Sequence, residues 1–443
     1  MIAQTFEDVF SPQWVNTHLS HPTHDLIILR QIIPWQSIID GLVPFYNLNQ
    51  GRTGCALRTL SAVSILARLR QLSDRLVIAH IQENRYMQYF CNVPDQGLRT
   101  FMNPSTLCRF RKRVSQEGIS LIEDEVFTCL KRADVIEADM MLMDATVLNS
   151  PIIYPTDVRL LYKAFDKMAM LATEGHIEPW WDTAHLKRRW RAYHLDRDNR
   201  RTYLDEFYTL FQPALAGLEE RLAQRQAPFD NHQEQLLQAR WRRLIAVLTL
   251  LNEQTQQKLA GERHIANRLV SLDDLDARPI QKGKSHPKTE FGTTLQMTFN
   301  RQGFLITTEN FIGQPNEKTL YGPTLERFRK RMETYPGGAV TDLGFRSAKN
   351  RKLHHEDIDY IFMGKSADVD EAHQAVCRSA RSATEGFIAV AKNLRGFGQS
   401  LYRGLVGATI WSRLNQCAYN LKKFLQLYRN EALSEQTLRK LHL

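Results

Sequence analysis

The sequence predicts an α/β core with a helical insertion, preceded by an all-α N-terminal domain. Three observations lead to this prediction. Apolar residues recur at three- and four-residue spacing from Thr5 to about Lys131, which is typical of amphipathic helices. Short runs rich in apolar and β-branched residues, typical of strands, begin at residue 140 and return after residue 290. Helical spacing also fills residues 157–274, between the first strand and the others.

These changes of pattern set the predicted domain boundaries. A chain of 443 residues is long enough for two or three domains. The all-α N-terminal domain covers residues 1–132, and the α/β core covers residues 133–430. Within the core, residues 157–280 form the mostly helical insertion, and residues 431–443 form a C-terminal tail.

The last helix predicted in the N-terminal domain is strongly basic. Its sequence is NPSTLCRFRKRV, residues 103–114, and Ser105 is predicted as the N-cap. The helix carries the four cations Arg109, Arg111, Lys112 and Arg113. Charge alone leaves two interpretations open. The cations either contact DNA phosphates, each adding to a salt-dependent affinity, or form a solvated helix face.

The predicted strands follow in order. Residues 140–148, MMLMDATVL, are too few for a helix that stands alone and are therefore predicted as a strand. Residues 290–300 and 303–311 flank Arg301-Gln302 and predict a tight hairpin. The remaining predictions are a helix at 318–333, a strand at 338–345, a helical piece at 347–357, a strand at 360–364 and a helical last 75 residues.

The charge balance favours a polyanionic partner. The chain has 58 Lys and Arg against 48 Asp and Glu, a net charge of +10. Much of the excess lies at the end of the chain, because residues 391–443 hold nine Lys and Arg and two Glu. A second basic run, from Lys187 to Arg201, is interleaved with Trp190 and Tyr193, which could stack on exposed bases.

The sequence contains none of the usual signals for export or membrane insertion. No segment reaches the 18 or so apolar residues that a spanning helix requires, and the first residues lack the pattern of a signal peptide. The six Cys form no C-x-x-C pair, which argues against a zinc site or a disulfide framework. We therefore expect a cytoplasmic protein with reduced thiols and no membrane partner.

Two aspartates occur in similar settings at predicted strand ends. Asp144 closes the run MMLM, and Asp342 follows the run AVT. Side chains at strand ends of an α/β sheet project into the crevice where ligands bind. Asp is also a common helix cap and turn former, so neither residue alone predicts catalysis. Asp139 competes with Asp144, but it precedes the apolar run rather than ending it.

A third carboxylate lies on a predicted helix with cations on the same face. Arg378, Arg381, Glu385 and Lys392 fall on one face at helical spacing. One interpretation is an exposed i,i+4 ion pair, which is common. The other combines Glu385 with the two aspartates, because separated carboxylates can bind two Mg²⁺ ions and nearby cations can hold phosphates.

These residues resemble a known family. Asp144 in MDATVLNSPIIYPTD, Asp342 in TDLGF, and Arg381, Glu385 and Lys392 resemble the bacterial insertion-sequence DDE transposases of the IS-four and IS-five superfamilies. The family signature around the glutamate is Y-x2-R-x3-E-x6-K, and this chain matches all of it except the tyrosine, where it has Arg378. In tyrosine-bearing relatives that residue handles the transposon end, so a hairpin step stays open here. The resemblance runs from about Phe6 to Leu427.

The resemblance implies a fold, a reaction and partners. The fold is RNase H-like, with the first Asp on the first strand, the second on the fourth and the Glu on a later helix. Asp144, Asp342 and Glu385 would bind two Mg²⁺ ions, for which Mn²⁺ is a possible substitute, while Arg381 and Lys392 hold phosphate. The reaction cleaves the element's ends and joins the 3′-OH groups to target DNA. The partners are the terminal inverted repeats, the target duplex and a second protomer in a homodimeric synaptic complex.

The family's helical N-terminal domain recognises the inverted repeats. The resemblance therefore favours the DNA interpretation of Arg109, Arg111, Lys112 and Arg113, and it adds Arg378 as a DNA contact. Two other functions stay open. One is a catalytically inactive, transposase-derived DNA-binding regulator, and the other is a stand-alone RNase H-like nuclease.

Overall fold

A computed structural model describes residues 8–47, 54–94, 101–196, 198–224, 232–281 and 288–443. The chain divides into two compact units. The first comprises Met1–Pro151 and Ile280–Leu443, and the second comprises Ile152–Pro279. The protein is of mixed α/β class, with a helical N-terminal region, as the sequence predicts.

The N-terminal region consists of seven α-helices within its described residues. They are α1 (Pro12–His18), α2 (Asp25–Ile32), α3 (Trp35–Leu42), α4 (Leu57–Leu69), α5 (Asp74–Glu83), α6 (Arg85–Cys91) and α7 (Pro104–Arg132). Every residue of α4 is buried. Helix α7 begins at Pro104, and its N-cap is Asn103, whose side chain accepts a hydrogen bond from the Ser105 amide at 3.0 Å. The prediction of Ser105 as N-cap was therefore wrong by two positions, because Pro occupies the first helical turn readily.

Among the described residues, the core is a six-stranded mixed sheet. Its strands are β1 (Met140–Asn149), β2 (Arg278–Ile280), β3 (Glu290–Phe299), β4 (Leu305–Ile312), β5 (Gly338–Thr341) and β6 (Tyr360–Met363). The main order is β2-β3-β1-β5-β6, and β4 also pairs with β3. Strand β3 is antiparallel to both β1 and β4, whereas β5 is parallel to its neighbours β1 and β6. The short strand β2 was not predicted.

The strand prediction at 338–345 was too long. Strand β5 ends at Thr341, and Leu343–Phe345 form a turn of 3₁₀ helix. The turn begins at Asp342 because its carboxylate accepts the Gly344 amide at 3.0 Å, which competes with further strand pairing. Asp342 therefore lies at the end of its strand, as the sequence pattern indicated.

Five further α-helices follow in the part of the first unit that the structure describes. They are α12 (Glu317–Met332), α13 (Ala348–Lys352), α14 (Glu371–Leu394), α15 (Gly404–Arg429) and α16 (Glu435–Lys440), the last within the predicted tail. Alternate residues of the sheet face different cores. Met141 and Met143 of β1 join a core that includes α12 and α7, whereas Met140 and Leu142 join a core that includes α14. The two sides of β1 are therefore both covered.

Helix α15 also covers β4 through buried amides. Asn420 accepts the Leu305 amide and donates to its carbonyl, both at 2.9 Å. Gln416 donates to the Ile306 carbonyl at 2.9 Å, and Asn310 donates to Ser412 at 2.9 Å. These bonds satisfy backbone and side-chain groups of β4 where it lacks a second strand neighbour, so α15 protects the edge.

The second unit is helical. It contains α8 (Asp157–Glu174), α9 (Thr183–Leu195), α10 (Arg200–Gln224) and α11 (His232–Leu259). Its core is rich in aromatic rings, and the Trp190 ring stacks on Tyr162 with centroids 4.7 Å apart. Tyr193 is buried and also stacks on Trp190. Both rings predicted as stacking surfaces for bases are thus engaged within this unit.

Within the described ranges, no single helix is both long and apolar enough to cross a membrane. The pair Asp25–Ile32 and Trp35–Phe45, bent by 59° at its break, meets the length and composition criteria when the two segments are taken together.

Candidate active site

Asp144 and Asp342 lie at equivalent positions on neighbouring parallel strands. The parallel pairing of β1 with β5 runs from Met140 opposite Gly338 to Met143 opposite Thr341. Each aspartate is the next residue after that last pair. Asp342 follows the last residue of β5, but Asp144 lies in the middle of β1, which continues to Asn149 in its pairing with β3. The prediction that Asp144 ends its strand was therefore wrong, and the parallel register still places the two aspartates next to each other.

The alternation of side chains explains why both aspartates face α14. Leu142 and Val340 belong to the core that includes Cys377 and Ala380 of α14. Asp144 and Asp342 follow them by two residues each, and residues two apart on a strand point to the same face. The sheet therefore directs both carboxylates toward the helix that carries Glu385.

Glu385 completes a three-carboxylate cavity. A cavity of about 190 Å³ is lined by Met143, Asp144, Val340, Thr341, Asp342, Arg381, Thr384 and Glu385. Helix α14 is placed by its buried side, where Thr384 donates to the Ala380 carbonyl at 2.9 Å. Glu385 follows Thr384, and its side chain is 70% exposed. The structure thus brings together the three acids and the arginine that the sequence analysis selected.

The turn after Asp342 is packed closely against its neighbours. A Cβ at Gly344 would lie 2.0 Å from Oε2 of Glu317 and 3.2 Å from Oδ1 of Asp342. Asn350, which is buried, donates to the carbonyls of both Phe345 and Lys318 at 2.8 Å. These contacts fix the turn to the start of α12, so the backbone that carries Asp342 is held in place.

The donor chemistry of the cavity fits a hard divalent cation. Carboxylate oxygens are the ligands that Mg²⁺ prefers, usually with several waters retained. Among the described residues, no three His, Cys, Asp or Glu side chains stand close enough to hold a metal ion as they are. The three carboxylates line a shared cavity without forming a closed cage. Such openness suits Mg²⁺, which is usually bound by one or two carboxylates plus substrate phosphates.

The cations of α14 have different surroundings. Arg381 lines the cavity, and its Nη2 is 3.9 Å from Oε1 of Glu385, a long and exposed pair of small energetic value. Arg378 is exposed one turn earlier. Lys392 does not line the cavity. Its Nζ is 3.2 Å from Oε1 of Glu290, and the two side chains are only 16% and 9% exposed.

The basic residues of α7 differ in their exposure to solvent. Arg109, Lys112 and Arg113 are exposed, but Arg111 is buried. Arg111 forms two hydrogen bonds to the carboxylate of Asp74, at 3.1 and 2.5 Å, and lies over the Tyr402 ring. Its placement corrects the sequence analysis, because a DNA phosphate cannot reach a guanidinium that is buried in an ion pair.

Several residues near the site were missed by sequence reasoning. Thr384 lines the cavity, Glu317 lies beside the Asp342 turn, and Glu290 pairs with Lys392. Glu317 and Glu290 reach these positions from distant segments, so spacing in the sequence gave no signal. The competitor Asp139 directly precedes β1, whereas Asp144 lies in the middle of that strand, and burial raises the pKa of Asp139.

Comparison with known proteins finds a family that is similar to the N-terminal domain. Residues 15–113 match the family described as Transposase domain (DUF772). An uncharacterized protein, ORF8 in the nfe locus of Rhizobium meliloti, is 29% identical over 163 residues, which cover 36% of this chain and 77% of that protein. No solved structure matches the chain. Over the matched residues, the helical N-terminal domain is therefore similar to a transposase domain.

Proposed function

We propose that the protein is a DDE transposase that cleaves the ends of an insertion sequence and joins them to target DNA. The observation that carries the proposal is the shared cavity of Asp144, Asp342 and Glu385. The three carboxylates come from the middle of β1, the end of β5 and one face of α14, and they line one cavity although they are far apart in the sequence. The transposase domain at residues 15–113 supports the same conclusion independently of these residues.

The sheet supports an RNase H-like core. Two antiparallel pairings join β4, β3 and β1, and two parallel pairings join β1, β5 and β6. The first aspartate lies on the first strand, and the glutamate lies on a helix after the last strand. The second aspartate follows the fifth strand rather than the fourth, because the short strand Arg278–Ile280 is counted. When that strand is left out of the count, Asp342 follows the fourth strand, as the family resemblance implies.

The residues of the cavity have separate tasks in this proposal. Asp144, Asp342 and Glu385 would hold two Mg²⁺ ions, with Mn²⁺ as a substitute. When bound, such a pair of ions lowers the barrier to phosphodiester displacement by stabilising charge on the attacking and leaving oxygens. Arg381 is placed to contact a phosphate oxygen at the cavity mouth, and Arg378 extends the cationic face by one helical turn. Lys392 would reach DNA only if its pair with Glu290 opened.

The DNA partners and the assembly are also part of the proposal. Arg109, Lys112 and Arg113 form an exposed basic face on α7, inside or at the end of the matched transposase domain. This face would contact the terminal inverted repeats through phosphates, an interaction that weakens as salt rises. Because two ends must be processed together, we propose a homodimer in the synaptic complex.

The test uses linear DNA that carries the inverted repeats flanking the gene, with Mg²⁺ and a target plasmid. We expect end cleavage and strand joining by the wild type, and binding without cleavage by Asp342→Asn. Asp359→Asn, which changes an exposed aspartate just before β6, is the matched control and retains both activities. Binding without cleavage by the wild type would instead identify a regulator. Cleavage without joining would identify a nuclease.

A further inference from the structure

The end of the chain carries positive charge that the described structure only partly balances. Residues 391–443 hold nine Lys and Arg and two Glu. Five of these cations make ion pairs: Lys392 with Glu290, Arg413 with Glu123, Arg429 with Asp25, Arg439 with Glu435, and Lys440 with Asp134. The other four, Arg395, Arg403, Lys422 and Lys423, make no ion pair with any residue in the described ranges.

Arg70 at the end of α4 and Arg395 at the end of α14 lie beside the same part of α15. Gly396 follows α14, and a Cβ there would lie 2.4 Å from Oε1 of Gln71 and 2.7 Å from Oδ1 of Asn415. Gln71 also donates to Oδ1 of Asn415 at 3.3 Å. Arg395 directly precedes Gly396, and Arg70 directly precedes Gln71. The ends of α14 and α4 therefore bring these two arginines to one junction on the surface of α15.

A lysine of α15 joins the two arginines. Lys422 follows Asn415 by seven residues, which is two turns along the same helix face. Its burial, together with the charges of Arg395 and Arg70, lowers its pKa to about 8, and the opposing influence of Asp25 is smaller. Arg70, Arg395 and Lys422 are here called the junction cations, and both arginines repel the charged form of Lys422 in the folded protein.

Helix electrostatics explain only part of this arrangement. Arg70 and Arg395 are the C-cap residues of α4 and α14, where a cation is stabilised by the helix dipole. Lys422 lies before the last turn of α15, so the dipole gives no comparable reason for its position. A half-buried lysine beside two arginines lowers stability. Such an arrangement is typical of sites that bind a ligand of opposite charge.

We propose that the junction cations form a binding site for the phosphate backbone of duplex DNA, separate from the α7 face and from the carboxylate cavity. That the bound duplex is transposon or target DNA rests on the proposed function. Arg395 follows Glu385 by ten residues, about 15 Å along α14, which is roughly the rise of four to five base pairs. One duplex seated at the cavity is therefore long enough to reach the junction cations.

The test measures the salt dependence of binding to a short duplex of arbitrary sequence by fluorescence anisotropy. Each phosphate contact contributes about 0.9 to the slope of log K against log salt. We expect Lys422→Gln and Arg395→Gln each to weaken binding and to reduce the slope by about that amount. Arg70→Gln is a third variant at a more exposed site. Arg439→Gln, which removes the same charge from a paired residue of α16, leaves the slope unchanged.

The possible outcomes separate this inference from the proposed function. Slopes equal to that of the wild type in all three junction variants overturn the inference, as does a wild type that does not bind duplex DNA. If the slopes fall but the wild type never cleaves DNA with its own ends, the junction site stands and the proposed catalysis fails. Thermal unfolding checks each variant, and we expect Lys422→Gln to be at least as stable as the wild type because it removes repulsion.

Discussion

Asp144 and Asp342 each follow the last residue pair, Met143 opposite Thr341, of two adjacent parallel strands. The whole helical insertion separates them along the chain, yet the register of β1 with β5 places them side by side. Their position follows from backbone pairing rather than from a flexible loop. The geometry of the site therefore depends on the contacts that hold the end of β5.

The first prediction concerns Gly344, in the turn after Asp342. A Cβ there would meet the carboxylates of both Glu317 and Asp342. Because supporting contacts of this kind typically affect activity 10- to 100-fold, we expect Gly344→Ala to reduce the cleavage rate by about 10-fold or more without loss of DNA binding.

Gly386→Ala is the matched control on α14. Apart from its two chain neighbours and the nearby backbone of its own helix, no atom lies within 4 Å of a Cβ at this position, beside Glu385. We expect wild-type cleavage and a gain in stability of about 0.5–1 kcal/mol, because alanine favours the helix. Equal cleavage rates for Gly344→Ala and Gly386→Ala would contradict the role given to the Asp342 turn.

The second prediction concerns Lys392 and Glu290. Both side chains are largely buried and form an ion pair at 3.2 Å. A double-mutant cycle with alanine at each position should give a coupling of about 1–3 kcal/mol in the free energy of unfolding, measured with urea. Additive effects would mean that the pair is absent in solution and would return Lys392 to the set of candidate phosphate contacts.

The third prediction concerns the buried acid of α7. Glu123 is fully buried, burial raises its pKa, and it pairs with both Arg331 of α12 and Arg413 of α15. Removing it leaves buried cations without their partner, so Glu123→Ala should cost about 3–5 kcal/mol in urea unfolding. Asp124→Ala, which removes a half-exposed partner of Arg331, should cost less than about 1 kcal/mol. Similar losses of unfolding free energy in both variants would refute the role of Glu123 as the buried partner of the two arginines.

The fourth prediction is a pH dependence. The folded pKa of Lys422, about 8, lies below the ordinary value of 10.5. Below pH 8 the lysine is charged in both states, and its full destabilising effect is present. Between about pH 8 and 10.5 the unfolded state binds more protons, so stability rises with pH. The difference in unfolding free energy between Lys422→Gln and wild type should therefore shrink over this range. A constant difference would contradict the lowered pKa.

Much of the fold could be predicted from the sequence because its patterns are local. The apolar run 140–148 and the hairpin at 290–311 gave nearly correct strands, and helical spacing indicated that the N-terminal region is helical, without the bounds of most of its helices. The end of β5 was harder to predict. The segment GAVTDLGF remains apolar beyond Asp342, but a side-chain bond to the Gly344 amide ends the strand there.

The surroundings of individual cations were less predictable because they depend on distant segments. Arg111 lies among three exposed cations on α7, yet Asp74 and Tyr402 bury it. The spacing of Leu107, Phe110 and Val114 gave a usable signal, since Arg111 falls on the same apolar face. For Lys392 no such signal exists, because its partner Glu290 comes from a strand on the other side of the insertion.

The most direct test of the central claim compares two glutamates of α14. Glu385→Gln removes the carboxylate of the proposed site, whereas Glu371→Gln changes an exposed glutamate in the first turn of the same helix. With Mg²⁺ and DNA carrying the element's ends, we predict that Glu385→Gln loses at least about 100-fold in cleavage rate but still binds DNA, and that Glu371→Gln cleaves like the wild type. Cleavage by Glu385→Gln at the wild-type rate would contradict the claim that Asp144, Asp342 and Glu385 form one catalytic site.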